Sequence, residues 1–125
     1  MLRKIRLNRT VFISAILVSF VIIPSLTEAQ QAKDTNEING NIRTIKSLTN
    51  LREFSAAYKL SHETLEKSKR KRYKEGEAWS KYYLGITHFE LTQSDSAIFW
   101  LKKAEDDFRF IQNNLALIQT MNQIG

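Results

Sequence analysis

His62 and His88 are the two side chains in this sequence whose ordinary titration falls near neutral pH, and they stand 26 residues apart. An imidazole that holds a metal or relays a proton needs a second histidine or a carboxylate at matching spacing. Glu63 adjoins His62 and so projects elsewhere on a helix, while Glu66, one turn on, reads as surface charge. His88 is expected as a partly buried core histidine. Glu105, Asp106 and Asp107 bring three carboxylates in succession, but consecutive helical residues diverge by about 100° and cannot close on one ion. They are expected on a solvated face. With no cysteine, the chain has no disulfide, no thiolate ligand and no cysteine nucleophile. A glycine-rich phosphate loop and a Ser/His/Asp motif are also missing. The sequence therefore predicts no enzyme, no catalytic or metal-binding residues and no cofactor.

Charge comes next, because a basic chain can meet nucleic acid or membrane. The 125 residues carry 19 basic and 13 acidic side chains, a net charge of +6. Residues 1–29 hold four of the basic residues and one acid, so the remaining 15 and 12 leave only +3 over residues 30–125. That opening segment has the layout of a secretory signal. Arg3, Lys4, Arg6 and Arg9 form a basic start; residues 11–23 are an uncharged, largely apolar run; Pro24 follows, then Thr27-Glu28-Ala29. The apolar run is shorter than the ~20 residues a permanent span needs. Cleavage between Ala29 and Gln30 is expected, with an uncleaved anchor as the alternative. Either form exports the chain, to the periplasm or the cell exterior, and only the uncleaved one holds it to a membrane. Lys67, Lys69, Arg70, Lys71, Arg72 and Lys74 form the densest basic run, expected as a solvated helix junction and not as a nucleic-acid surface.

Any functional face must therefore be carried by the elements of residues 30–125. The composition, 42% hydrophobic and 26% charged with only four glycines and one proline, predicts a folded all-α chain. Residues 30–36 read as a polar tail. Apolar positions then take helical spacing in five stretches. Ile38, Ile42, Ile45 and Leu48 mark the first, and Phe54 to Leu65 the second. Ala78 to Phe89 mark the third, starting near Tyr73, and Ala97 to Ile111 the fourth. Leu115 opens the fifth. At a shift of 40 residues Ala57 falls on Ala97, Leu51 on Leu91, Glu37 on Glu77, and Leu84-Gly85 on Ile124-Gly125.

Leu84, Gly85, Ala97, Leu101 and Ala104 follow one another without a gap at the spacing of the tetratricopeptide repeat, and here the sequence resembles that family. Its 40-residue length is similar to the long repeats of bacterial signalling proteins. Lys81 and His88 depart from the pattern, standing where the family has aromatics. The resemblance implies antiparallel helix hairpins stacked as a short α-solenoid of about five helices, with units at 37–76, 77–112 and a partial 113–125. Gly85, Ala97 and Ala104 would let the two helices of a hairpin approach, and Leu84 and Leu101 would fill the space between them.

The resemblance further implies a groove for an extended or helical peptide, lined by the first helix of the middle hairpin: Trp79, Tyr82, Tyr83, Ile86 and Phe89. The expected function is binding of a protein or peptide without catalysis, as a sensory part of a bacterial regulator. Alternatives are a membrane-anchored envelope scaffold and a remnant of a longer repeat protein. Leu115, Leu117, Ile118, Met121 and Ile124 make the last helix too apolar for a cap. It is expected either to dock as a lone final helix or to continue into further repeats, and it offers a route to self-association.

Overall fold

A computed structural model describes the backbone of residues 2–125 and the side chains of residues 26–125. It contains five α-helices: α1 (Leu2–Asn50), α2 (Phe54–Arg70), α3 (Lys74–Glu90), α4 (Ser94–Phe110) and α5 (Asn114–Ile124). Among the described residues there is no strand, so the all-α expectation holds. Contacts divide the chain into two units, residues 1–33 and Asp34–Gly125, and the packing discussed below belongs to the second. The basic start and apolar run of the expected export signal lie outside the residues with described side chains. Among those described, no helix is long and apolar enough to cross a membrane.

Residues 30–36, expected as a polar tail, are helical and part of α1. The physical reason at their packed end is an ion pair. Asp34 is 9% exposed, and its carboxylate meets Lys71 Nζ at 2.9 Å. Glu37, one turn later, pairs with Lys67. Two lysines of the basic run thus fasten the end of α2 to α1.

From Asn50 onward the backbone repeats every 20 residues. Successive helices begin at 54, 74, 94 and 114. The residues at 52, 72, 92 and 112 are all left-handed, with φ of 63°, 54°, 61° and 59°. Each connection closes with the same hydrogen bonds. Glu53, Tyr73, Gln93 and Asn113 donate their backbone N–H groups to the carbonyls of Leu48, Ser68, His88 and Phe108, at 2.9 to 3.0 Å. This is the Schellman closure, which satisfies carbonyls that a helix end would otherwise leave open. Because the left-handed position is filled by Arg52, Arg72, Thr92 and Gln112, no glycine announces these turns.

Contacts across the turns run antiparallel. Between α3 and α4, Trp79 meets Phe108, Lys81 meets Asp107, and Gly85 faces Leu101 and Ala97. Between α2 and α3, Arg52 at the turn before α2 reaches Glu90 at the far end of α3, and Gly76 at the start of α3 lies beside Ser68. Alternate helices run parallel: Tyr73 donates to Asn39 Oδ1 34 residues earlier, and Gln119 Nε2 donates to Tyr82 Oη 37 residues earlier. The helices are therefore stacked in order, with a core of Ile45, Ala57, Ala78, Tyr82, Tyr83, Leu101, Ala104, Phe108 and Ala116.

Small hydroxyl residues occupy several of the closest crossings. Ser61, Ser68, Ser80, Thr87 and Thr120 are fully buried, and each donates to the carbonyl four residues back. That bond hides the hydroxyl within its own helix and lets a polar residue pack as a small apolar one. Thr64 is the exception, buried with no partner for its Oγ1.

Candidate functional site

The five residues of the repeat signature come together as expected. Leu84, Ala97 and Ala104 are 0% exposed and Leu101 is 2% exposed. A β-carbon on Gly85 would stand 2.5 Å from Leu101 Cγ and 3.2 Å from the Ala97 carbonyl oxygen, so the closeness of α3 to α4 depends on the missing side chain. The faint earlier copy shares this register. Ala57, Ser61, Thr64 and Ser68 are all 0% exposed, 40 residues before Ala97, Leu101, Ala104 and Phe108. At that shift Gly85 corresponds to Ile45 and Leu101 to Ser61, so the small and the large residue have changed sides of the crossing.

The five groove candidates do not form one exposed stripe. Tyr82 and Tyr83 are buried, Trp79 and Ile86 are half-buried, and only Phe89 stands out, at 58% exposed. Trp79 is the hub of the buried part, edge-on to Phe108 at 4.9 Å and to Tyr82 at 5.6 Å, and stacked with Tyr83 at 6.2 Å. The Tyr82 hydroxyl takes its hydrogen bond from Gln119, a residue that sequence reasoning passed over because it is 37 positions away. Burial pushes the Tyr83 hydroxyl up to about 12, with Tyr82 adding to the effect, and raises Tyr82 against the pull of Gln119. The tyrosines therefore serve the core, and the accessible face of α3 narrows to Trp79, Ile86 and Phe89.

Ala29 and Gln30, the expected cleavage pair, are exposed and lie within α1.

The histidines meet through Tyr58. His62 lies edge-on to Tyr58 at 4.7 Å and His88 at 5.2 Å, and Trp100 is edge-on to His62 at 5.9 Å. His88 is 8% exposed, and its Nδ1 donates to Gln93 Oε1 at 2.6 Å, which ties it to the turn before α4. Burial lowers the His62 pKa, His88 lowers it further and Glu66 opposes them. Among the described residues no group of three His, Asp or Glu side chains could hold a metal.

Asp107 overturns one surface reading, since it does not belong to a solvated acidic face, and Lys81, which stands where the family has an aromatic, is its partner. The Lys81 and Asp107 side chains are 12% and 15% exposed and form an ion pair joining α3 to α4, with Glu77 Oε2 3.7 Å from the Lys81 ammonium. Glu105 turns sideways to Arg109, at 2.6 Å. The basic run is largely neutralised as well, since Lys67, Lys69, Lys71 and Lys74 meet Glu37, Glu66, Asp34 and Glu77.

An open cleft of about 570 Å³ lies at the end of the stack where α3 and α5 begin. It is lined by Tyr73, Lys74, Glu75 and residues 111–114, a mixed polar and apolar set without a nucleophile–base pair. Among the described residues, exposed large apolar side chains include Phe89 on α3, Leu91 just after it, Phe99 and Phe110 on α4, and Leu115, Ile118 and Met121 on α5. Comparison with family models, with curated proteins and with solved structures finds no match for this chain.

Proposed function

We propose that this chain is an exported, non-catalytic helical-repeat module of tetratricopeptide type that binds a protein or peptide along α3. Phe89 carries this reading: it is a large aromatic left 58% exposed beside half-buried Ile86 and Trp79 on one helical face. A rigid ring held out of a packed helix offers large contact area at little entropic cost. The tetratricopeptide assignment draws on the five signature positions and their burial in register. Export draws on the layout of residues 1–29.

The test selects displayed peptides on the 125-residue chain and on its Phe89→Ser variant. Peptides with apolar or aromatic anchors should enrich on the first and not on the second, with equal helicity in both. Equal enrichment on the two proteins would overturn the groove. Tyr82 is unsuited to this test, because at 5% exposed its truncation would disturb the core.

A further inference from the structure

The 40-residue register extends the accessible face of α3 onto both neighbouring helices. Trp79, Tyr83 and Ile86 correspond to Asn39, Arg43 and Lys46 of α1, and Trp79 and Tyr83 correspond also to Gln119 and Gln123 of α5. Steps of four and three residues keep each set on one side of its helix. Two hydrogen bonds hold the outer sets beside α3: Asn39 Oδ1 accepts from Tyr73, and Gln119 donates to Tyr82. The apolar line of α3 therefore runs between two polar walls.

The walls differ in charge. Arg43 and Lys46 are exposed, and α1 holds no acid from Ile38 to its end at Asn50. Among the described residues no carboxylate pairs with either cation, whereas Lys67, Lys71, Lys74 and Lys81 each meet one. The α5 wall is uncharged, with Gln119 and Gln123 as exposed amides. The two acids of α3 at the ends of the line are engaged: Glu75 accepts from Tyr73, and Glu90 meets Arg52. The face thus presents charge of one sign, on one side. A partner's cations laid there would be repelled, and its carboxylates would be attracted.

We infer that the groove takes an acidic peptide, whose apolar or aromatic anchor sits on Trp79, Ile86 and Phe89 and whose Asp or Glu side chains face Arg43 and Lys46. The inference rests on the reading of α3 as a groove and names the chemistry of its occupant. The spacing suits one short segment. Packed helices lie about 8–10 Å apart, a distance that about three residues of extended chain cover, so anchor and acids fall close together in sequence. Arg43 and Lys46 stand about 4.5 Å apart along the α1 axis, room for two carboxylates side by side.

The test selects peptides displayed through their C-terminal ends, which leaves no free carboxyl terminus, on the 125-residue chain and on its Arg43→Glu, Lys46→Glu variant. Both changes are at exposed positions and should leave helicity unaltered. Peptides enriched on the wild type should carry Asp or Glu beside the anchor. Those enriched on the variant should keep the anchor and exchange the acids for Lys or Arg. A synthetic peptide from the first pool should bind the wild type roughly tenfold more weakly once its acids are replaced by amides, a contrast that shrinks at high salt. Anchored pools with equal acid content on the two proteins would overturn the inference and leave the Phe89 groove standing, as would a synthetic peptide indifferent to the loss of its acids. Affinity that follows only a free C-terminal carboxylate would overturn it as well. Failure of the wild type to enrich any anchored peptide would overturn the groove and the acidic occupant together.

Discussion

Leu101 occupies the space that a β-carbon on Gly85 would need, with Cγ 2.5 Å and Cδ2 2.8 Å from that position. The α3–α4 crossing is set by this contact. Gly85→Ala should cost about 1–3 kcal/mol, the usual penalty for overpacking a tight core, read as a lower denaturant midpoint at unchanged slope. Combined with Leu101→Ala, which removes both the Cγ and the Cδ2 that the new methyl would meet, it should cost less than the two changes summed. Strict additivity in the cycle would show that the two residues do not meet.

Lys81 is held between Glu77 and Asp107, with all three side chains at most 15% exposed. Lys81→Ala should destabilise the fold by about 3–5 kcal/mol, because it strands the Asp107 carboxylate away from water. Lys81→Met with Asp107→Leu should recover most of that loss, Glu77 keeping Lys74 at 3.2 Å as its partner. Chemical denaturation of the three proteins checks both statements.

Thr92 takes a φ of 61°, which its branched β-carbon resists. Thr92→Asn should raise stability by about 1 kcal/mol, since Asn tolerates the left-handed region and the turn's hydrogen bonds come from the backbone. A thermal melt that shows no gain would place the strain elsewhere.

Titration should weaken the fold at both ends of the pH scale. His62 has a lowered pKa, so below the ordinary imidazole value of 6.5 the unfolded chain takes up a proton that the folded chain resists. Stability should fall as the pH drops through that window, and His62→Gln should flatten this part of the curve. Tyr83 shifts the other way, from 10.0 to about 12. Between those values the unfolded chain loses its proton first, so stability should fall as pH rises. Tyrosinate absorbance should show a delayed component that appears together with unfolding.

Gly85, Ala97 and Ala104 were legible in the sequence because small residues at fixed spacing have one physical use on helices, close approach. Helix positions were legible from apolar spacing, since the five stretches from Ile38, Phe54, Ala78, Ala97 and Leu115 fall within or along α1 to α5. The 20-residue period of the backbone was hidden. It is written in four left-handed residues held by main-chain hydrogen bonds, and Arg52, Arg72, Thr92 and Gln112 have no composition in common. The helical state of residues 30–36 was hidden too, because Asp34 depends on Lys71, far along the chain.

What the sequence by itself determined is therefore the all-α class, the 40-residue register and the signature crossing, all of which rest on local periodicity and side-chain size. The tertiary structure alone decided which apolar and charged residues are spent on the core. Periodicity marks a helix face but not what covers it, and so Tyr82, Phe89 and Ile118 looked alike in the sequence. Folding buried the first against Gln119 of α5 and left the second and third 58% and 57% exposed.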